Sequence, residues 1–256
     1  MIRGLYTAVS GLITLENKQN TIANNMANSN TVGFKSDELG LKSFKEVLVS
    51  NKDKILGNQN VRQDLGKLAL GVETDRVDTV FTQGDFKNTG KMGDFAIDGR
   101  GFFTVQRGNE RLYTRDGNFR VGTDGNLITT TGDKVLGVNK NNGRVEPIFV
   151  GNSKFQLDES GELQIPGKPS YKLLTADFND YKSLKKVGDN YYKGENPRTD
   201  AAVKINQGHL ELSNVNITDA MVDMLAVMRN FETNQKFVTM MDDSLGKAAN
   251  DIGQVR

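Results

Sequence analysis

The sequence predicts an α+β chain: N- and C-terminal helices that pair as a coiled coil, with an all-β domain inserted between them. Three observations carry this expectation. From Asn216 onward, apolar side chains fall in two rows at heptad spacing. The first thirty residues hold a second, more ragged helical stripe. Between the two, from Gly84, the apolar period changes to two, and Asp-Gly or Asn-Gly pairs interrupt it repeatedly.

The C-terminal rows are the more regular. Ile217, Met224, Phe231, Val238, Leu245 and Ile252 follow one another at intervals of seven. Ala220, Val227, Asn234, Met241, Ala248 and Val255 run three residues behind them. Such a and d rows make one seam along a helix. No Pro interrupts it, and Gly246 and Gly253 are its only weak helix formers. Asn216 or Thr218 is placed to cap the start, with Asp219 in the first turn. At 1.5 Å per residue, a helix over 216–256 would reach roughly 60 Å. A seam that long needs a partner, and the N-terminal stripe supplies one.

That stripe predicts a helix over 2–29. Ile2, Leu5, Val9 and Leu12 are spaced 3, 4 and 3, and Leu15, Ile22 and Met26 carry it on, somewhat rotated. Glu16 and Gln19 fall where a strict repeat wants apolar residues, so the stripe suits a second helix better than a copy of itself. Asn24, Asn25, Asn28 and Asn30 compete with the helical backbone, and Gly33 completes the stop.

The segment after it is less regular. Leu39, Leu41, Phe44, Val47 and Leu48 are spaced for a short helix, Asn51 to Gly66 reads as polar and extended or mobile, and a strand is expected over 75–81. Then come the β signals. Phe95 and Ile97 alternate before Asp98-Gly99-Arg100-Gly101, and Phe103 and Val105 before Arg107-Gly108-Asn109. Asp116-Gly117-Asn118, Asp124-Gly125-Asn126, Asn142-Gly143 and Ser160-Gly161 continue the series of turns. Tyr171 to Phe178 and Tyr191-Tyr192 add strands. The expected division is 1–33 helix, 34–83 irregular link, 84–200 β domain, 201–215 return segment and 216–256 helix.

Composition narrows the function classes. Lys plus Arg number 33 against 32 Asp plus Glu, so the net charge of +1 gives no electrostatic case for nucleic acid. The chain has no Cys, which excludes disulfides and thiolate metal sites. No apolar run approaches the ~18 residues of a membrane span, and the N-terminus lacks the pattern of a cleaved signal peptide. No direct membrane insertion and no cofactor are therefore expected. His209 is the single His and has no second His or Cys with which to share a metal. Asp98, Asp116 and Asp124 each sit in an Asp-Gly pair that a tight turn explains, so no carboxylate pair stands out for acid–base work. Gly99-Arg100-Gly101 is not followed by the Lys-Ser/Thr of a phosphate loop. The expectation is a protein that is not an enzyme.

Three stretches resemble the bacterial flagellar hook-basal-body rod proteins. The first is Ser10-Gly11-Leu12 with Ile22 to Lys35, through Asn24-Asn25-Met26-Ala27-Asn28-Ser29-Asn30-Thr31-Val32-Gly33-Phe34. The second is Gly93 to Phe103, followed by Tyr113-Thr114-Arg115-Asp116-Gly117-Asn118-Phe119. The third is Gln207-Gly208-His209-Leu210-Glu211 with Ser213-Asn214-Val215-Asn216 and the helix through Met228-Arg229-Asn230-Phe231-Glu232. The resemblance implies an axial subunit exported by the flagellar type III apparatus without a cleaved signal. Its partners would be copies of itself, other rod and hook proteins, and that apparatus. It also implies an inner layer of paired termini and an outer β layer. The tail Phe231 to Lys236 is more similar to the proximal-rod form than to the distal-rod form. The expected polymer interface is Leu5, Val9, Leu12, Leu15, Ile22 and Met26 with Ile217, Met224, Val227, Phe231, Val238, Met241, Leu245 and Ile252. A surface module with a coiled-coil stalk and a β head is the alternative.

Overall fold

The computed structural model describes residues 2–56, 59–158, 160–199 and 203–252. Helix α1 covers Ile2–Ala27, and helix α2 covers Ile217–Lys247. Strands β1 (Asp37–Ser43), β2 (Val47–Leu56), β3 (Gln59–Leu68) and β4 (Val72–Thr79) follow α1. All other strands lie between β4 and α2. The architecture is α+β, as expected. The chain divides into two compact units: one of 1–26, 37–78 and 216–256, the other of 27–36 and 79–215.

In the helical unit, two threonines of α1 bond back to the helix itself. Thr14 Oγ1 donates to Gly11 O at 2.8 Å, and Thr21 Oγ1 donates to Asn17 O at 3.0 Å. At the start of α2, Asn216 caps as anticipated: its side chain accepts the Thr218 N–H at 3.0 Å. The helix stops earlier than the rows alone predict. Gly246 falls in its last turn, and Ala248–Ile252 form a π-helical turn instead. Gly costs about 1 kcal/mol relative to Ala inside a helix, which weakens the last turn.

The segment 34–83, expected as an irregular link containing a short helix at Leu39–Leu48, holds four strands. β1 pairs with β4, and β2 pairs with β3 over ten residues each, with irregularities between Val49 and Ser50 and between Asn51 and Lys54. The expected strand over 75–81 is β4, displaced toward its start. The helix reading failed because Leu39 and Leu41 also fit period two. Gly40 is a poor helix former, and it lies against Arg76 of β4, where a Cβ would make ordinary contact with Arg76 O at 3.4 Å.

The β unit follows the turn signals. β5 (Phe86–Asn88), β6 (Phe95–Asp98), β7 (Phe102–Arg107) and β8 (Glu110–Thr114) open it. β7 and β8 form a hairpin in which Arg107 faces Glu110 across a Gly108-Asn109 loop, with Gly108 at φ 61°. The main sheet runs in the order 156–157, 162–164, 171–173, 134–139, β7, β8, 191–193, 185–186. Two pairings close the unit from the far end of the chain: Lys204–Gln207 with β6, and His209–Glu211 with β5. Phe95, Phe103, Val105, Leu127, Ile148 and Leu163 are buried in one core cluster. Phe102, Tyr113, Phe178 and Tyr192 form an aromatic cluster apart from it.

Candidate assembly interface

On α2, burial follows the two heptad rows. Ala220, Met224, Phe231, Asn234, Val238, Met241, Leu245 and Ala248 are half-buried, Val227 is 3% exposed, and the positions between them are exposed. Ile217 is the exception within the rows, at 39% exposed. Ile252 lies in the π-helical turn, and its side chain falls outside the described residues, as does Val255. On α1, Ile22 is buried, Leu5, Leu12, Leu15 and Met26 are half-buried, and Val9 is exposed.

The two helices approach through residues that a search for large apolar side chains passes over. A Cβ built on Gly4 would lie 3.3 Å from Met241 Cε, and one on Gly11 would lie 3.2 Å from Asn234 Nδ2. Gly4 and Gly11 are seven residues apart, and so are Asn234 and Met241, in the opposite sense. The approach is therefore antiparallel. Ala8 and Thr14 are buried on the same helix. The available signal was the small-residue series Gly4, Ala8, Gly11 at i, i+4 and i+7. α1 also meets the β4 end of the unit: Thr7 Oγ1 donates to Leu70 O at 3.0 Å, and Ser10 Oγ accepts the Val72 N–H at 3.3 Å.

A second apolar face remains uncovered. Tyr6, Val9 and Ile13 are exposed on α1. Met221, Val222, Leu225, Met228, Phe237 and Met240 are exposed on α2. Beside Met240, a groove of ≈ 450 Å³ is lined by Glu232, Gln235, Lys236 and Thr239. These side chains recur along both helices rather than standing singly.

The β unit offers a different surface. Among the described residues, no group of three His, Asp or Glu side chains could hold a metal ion. The His209 ring lies beside its own backbone, with Nδ1 3.0 Å from Gln207 O. No described helix is long and apolar enough to cross a membrane.

Comparison with known proteins bears on this arrangement. Residues 5–35 match the family described as flagella basal body rod protein. Residues 96–168 match the flagellar hook protein FlgE/F/G D1 domain, and 206–251 the flagellar basal body rod FlgEFG protein C-terminal region. The flagellar basal-body rod protein FlgG of Bacillus subtilis is 32% identical over 98% of this chain and 99% of its own length. The chain belongs to the flagellar basal-body rod family. The rod protein FlgF of Caulobacter vibrioides is 31% identical, and the hook-basal body complex protein FlhO of Bacillus subtilis is 29% identical, each over the full length of both chains. The matched segments of this rod-family chain take in most of α1, the middle and end of the β unit, and α2. Family membership makes it a structural protein of the flagellar basal body, in the company of other axial proteins.

Proposed function

We propose that this chain polymerises through its terminal helices into the rod, the tubular drive shaft that carries torque from motor to hook. One observation carries the reading: both helices keep large apolar side chains exposed after α1 and α2 have met. Copies stacked head to tail on a screw axis would cover them and build an open helical filament. In this proposal α1 and α2 pair as a coiled coil through the seam rows, including Phe231, Val238 and Leu245. The outward residues Tyr6, Ile13, Leu225 and Met228 meet neighbouring copies. Each square ångström of apolar surface so covered stabilises the polymer by ~25 cal/mol, summed over many subunits. Export through the flagellar type III apparatus without a cleaved signal belongs to the same reading, as do contacts with other rod and hook proteins. So does a place in the proximal segment, which the tail Phe231 to Lys236 supports.

The test is Leu225→Asp, supplied as the only copy in motile cells. Leu225 is 56% exposed, so the change should alter monomer melting by no more than about 0.5 kcal/mol. A buried, unpaired carboxylate at every contact costs several kcal/mol, so rods should be missing from isolated basal bodies and swimming lost. Leu225→Met should swim normally. Intact rods carrying Leu225→Asp would remove this face from the interface. Gold label on the distal part of the rod would remove the proximal placement.

A further inference from the structure

The chain passes between its two units at four points: 26/27, 36/37, 78/79 and 215/216. Inside the β unit, residues beside three of these points meet on one side chain. Asn214 Oδ1 accepts the Ser36 N–H at 2.8 Å. Asn214 Nδ2 donates to Val80 O at 2.8 Å and to Thr82 Oγ1 at 2.9 Å. The Val80 N–H donates to Ser36 O at 2.8 Å, and the Asn214 N–H to Phe34 O at 3.4 Å.

Three residues earlier, the fully buried Glu211 makes a second knot. Its Oε1 accepts Lys35 Nζ at 2.5 Å and the Gly84 N–H at 3.1 Å. Its Oε2 accepts Arg115 Nη1 at 3.1 Å, and its backbone O accepts the Gly33 N–H at 2.8 Å. Lys35 also donates to Thr82 O at 2.7 Å, and Arg115 Nη2 donates to Gly99 O at 2.8 Å. Gly33 sits at φ 65°, and a Cβ there would lie 2.5 Å from the Arg115 carbonyl carbon, so only Gly fits against this knot.

Stability alone does not explain such a cluster, because apolar residues of similar volume often serve a dry site as well or better. What ions and amides add is direction. Asn214 uses both ends of its amide at once, so it fixes Ser36 relative to Val80 and Thr82. Glu211 fixes Lys35 and Gly33 relative to Gly84 and Arg115. Burial pushes the Lys35 ammonium below its ordinary value, against the opposing pull of Glu211. Glu211 is therefore the group whose loss strands two buried cations.

We propose that Asn214 and Glu211 are positioning residues of a clasp that binds three of the four chain crossings to one another. A twist applied to the chain then enters the β unit through three connections acting together. This inference rests on the drive-shaft reading above. The clasp itself can be tested without it.

Hydrogen exchange on the full-length monomer gives the first reading. In Asn214→Ala the Ser36 amide should exchange at least about tenfold faster, while the amides of β7 and β8 keep their rates. Thr82→Val, which removes one acceptor, should give a smaller acceleration at the same place. An unchanged Ser36 rate in Asn214→Ala overturns the clasp. The second reading is made under load, in cells swimming in thin and in viscous medium. Asn214→Ala should swim normally in the thin medium and lose swimming in the viscous one, shedding hooks and filaments. If Asn214→Ala builds no rods, Thr82→Val is put under load in its place. Parental swimming in viscous medium by the variant under load overturns load sharing while leaving the polymer reading intact. Failure of the exposed-face reading would show instead as intact rods in Leu225→Asp.

Discussion

Asp116 is a turn residue with an energetic consequence. Its Oδ1 accepts the Asn118 N–H at 2.9 Å, and its own N–H donates to Thr114 Oγ1 at 3.0 Å. Burial pushes its carboxyl up to about 6, and the nearby Asp94 adds to the effect. A carboxyl whose folded value is raised stabilises the fold below its unfolded value, and the contribution is lost as pH rises through the folded one. Asp116→Asn keeps an acceptor for Asn118 and removes a half-buried charge. It should stabilise the β unit by roughly 1–3 kcal/mol at pH 8 and by little at pH 4, read from thermal unfolding at both. An equal effect at the two pH values would refute the assignment. The sequence showed Asp116 as part of a tight turn. It could not show the burial, because spacing carries no information about what packs over a turn. Lys35, Arg115 and Glu211 lie one in each of the three stretches that carried the family resemblance. Even so, nothing in the order of residues reveals that they meet, since Lys35 and Glu211 are 176 positions apart.

At the scale of elements, the helices were legible and the strands after α1 were not. Burial on α2 follows the heptad rows at 217–245, while the apolar residues outside those rows, among them Met221, Leu225 and Met228, stay exposed. Val227 is the most buried residue of that seam, at 3% exposed. Val227→Asp should therefore lower the helical content of the monomer itself, at a cost of several kcal/mol, whereas Leu225→Asp should not. Far-ultraviolet circular dichroism on the two monomers makes the comparison, and equal helicity would show that Val227 packs against nothing that matters. The β1 and β2 region misled because its apolar residues fit two periods at once, and pairing with β4 and β3 decided between them. The small residues Gly4, Ala8 and Gly11 escaped notice for a related reason: close approach of two helices depends on what is absent from a side chain.

For the whole molecule, the order helix, β unit, helix could be read from the changes of period, while the four strands between α1 and the β unit stood as an irregular link. The way the two ends of the β unit are tied together could not. β5 and β6 receive their partners from His209–Glu211 and Lys204–Gln207, more than a hundred residues downstream. A chain cut after residue 203 should therefore leave β6 unpaired and the Lys35 site without its carboxylate. It should fail to show the cooperative thermal transition of the full chain, and a transition of parental sharpness would contradict this. The consequence lies in the time order of folding. Closing a loop of that length is entropically unfavourable, growing as about (3/2)RT ln n, and is not compensated until its last residues are present. A ribosome delivering this chain from its first residue onward makes nearly all of it before the β unit can close. Until then β5 and β6 wait without partners, while the main sheet between 102 and 193 already has its own strands to hand.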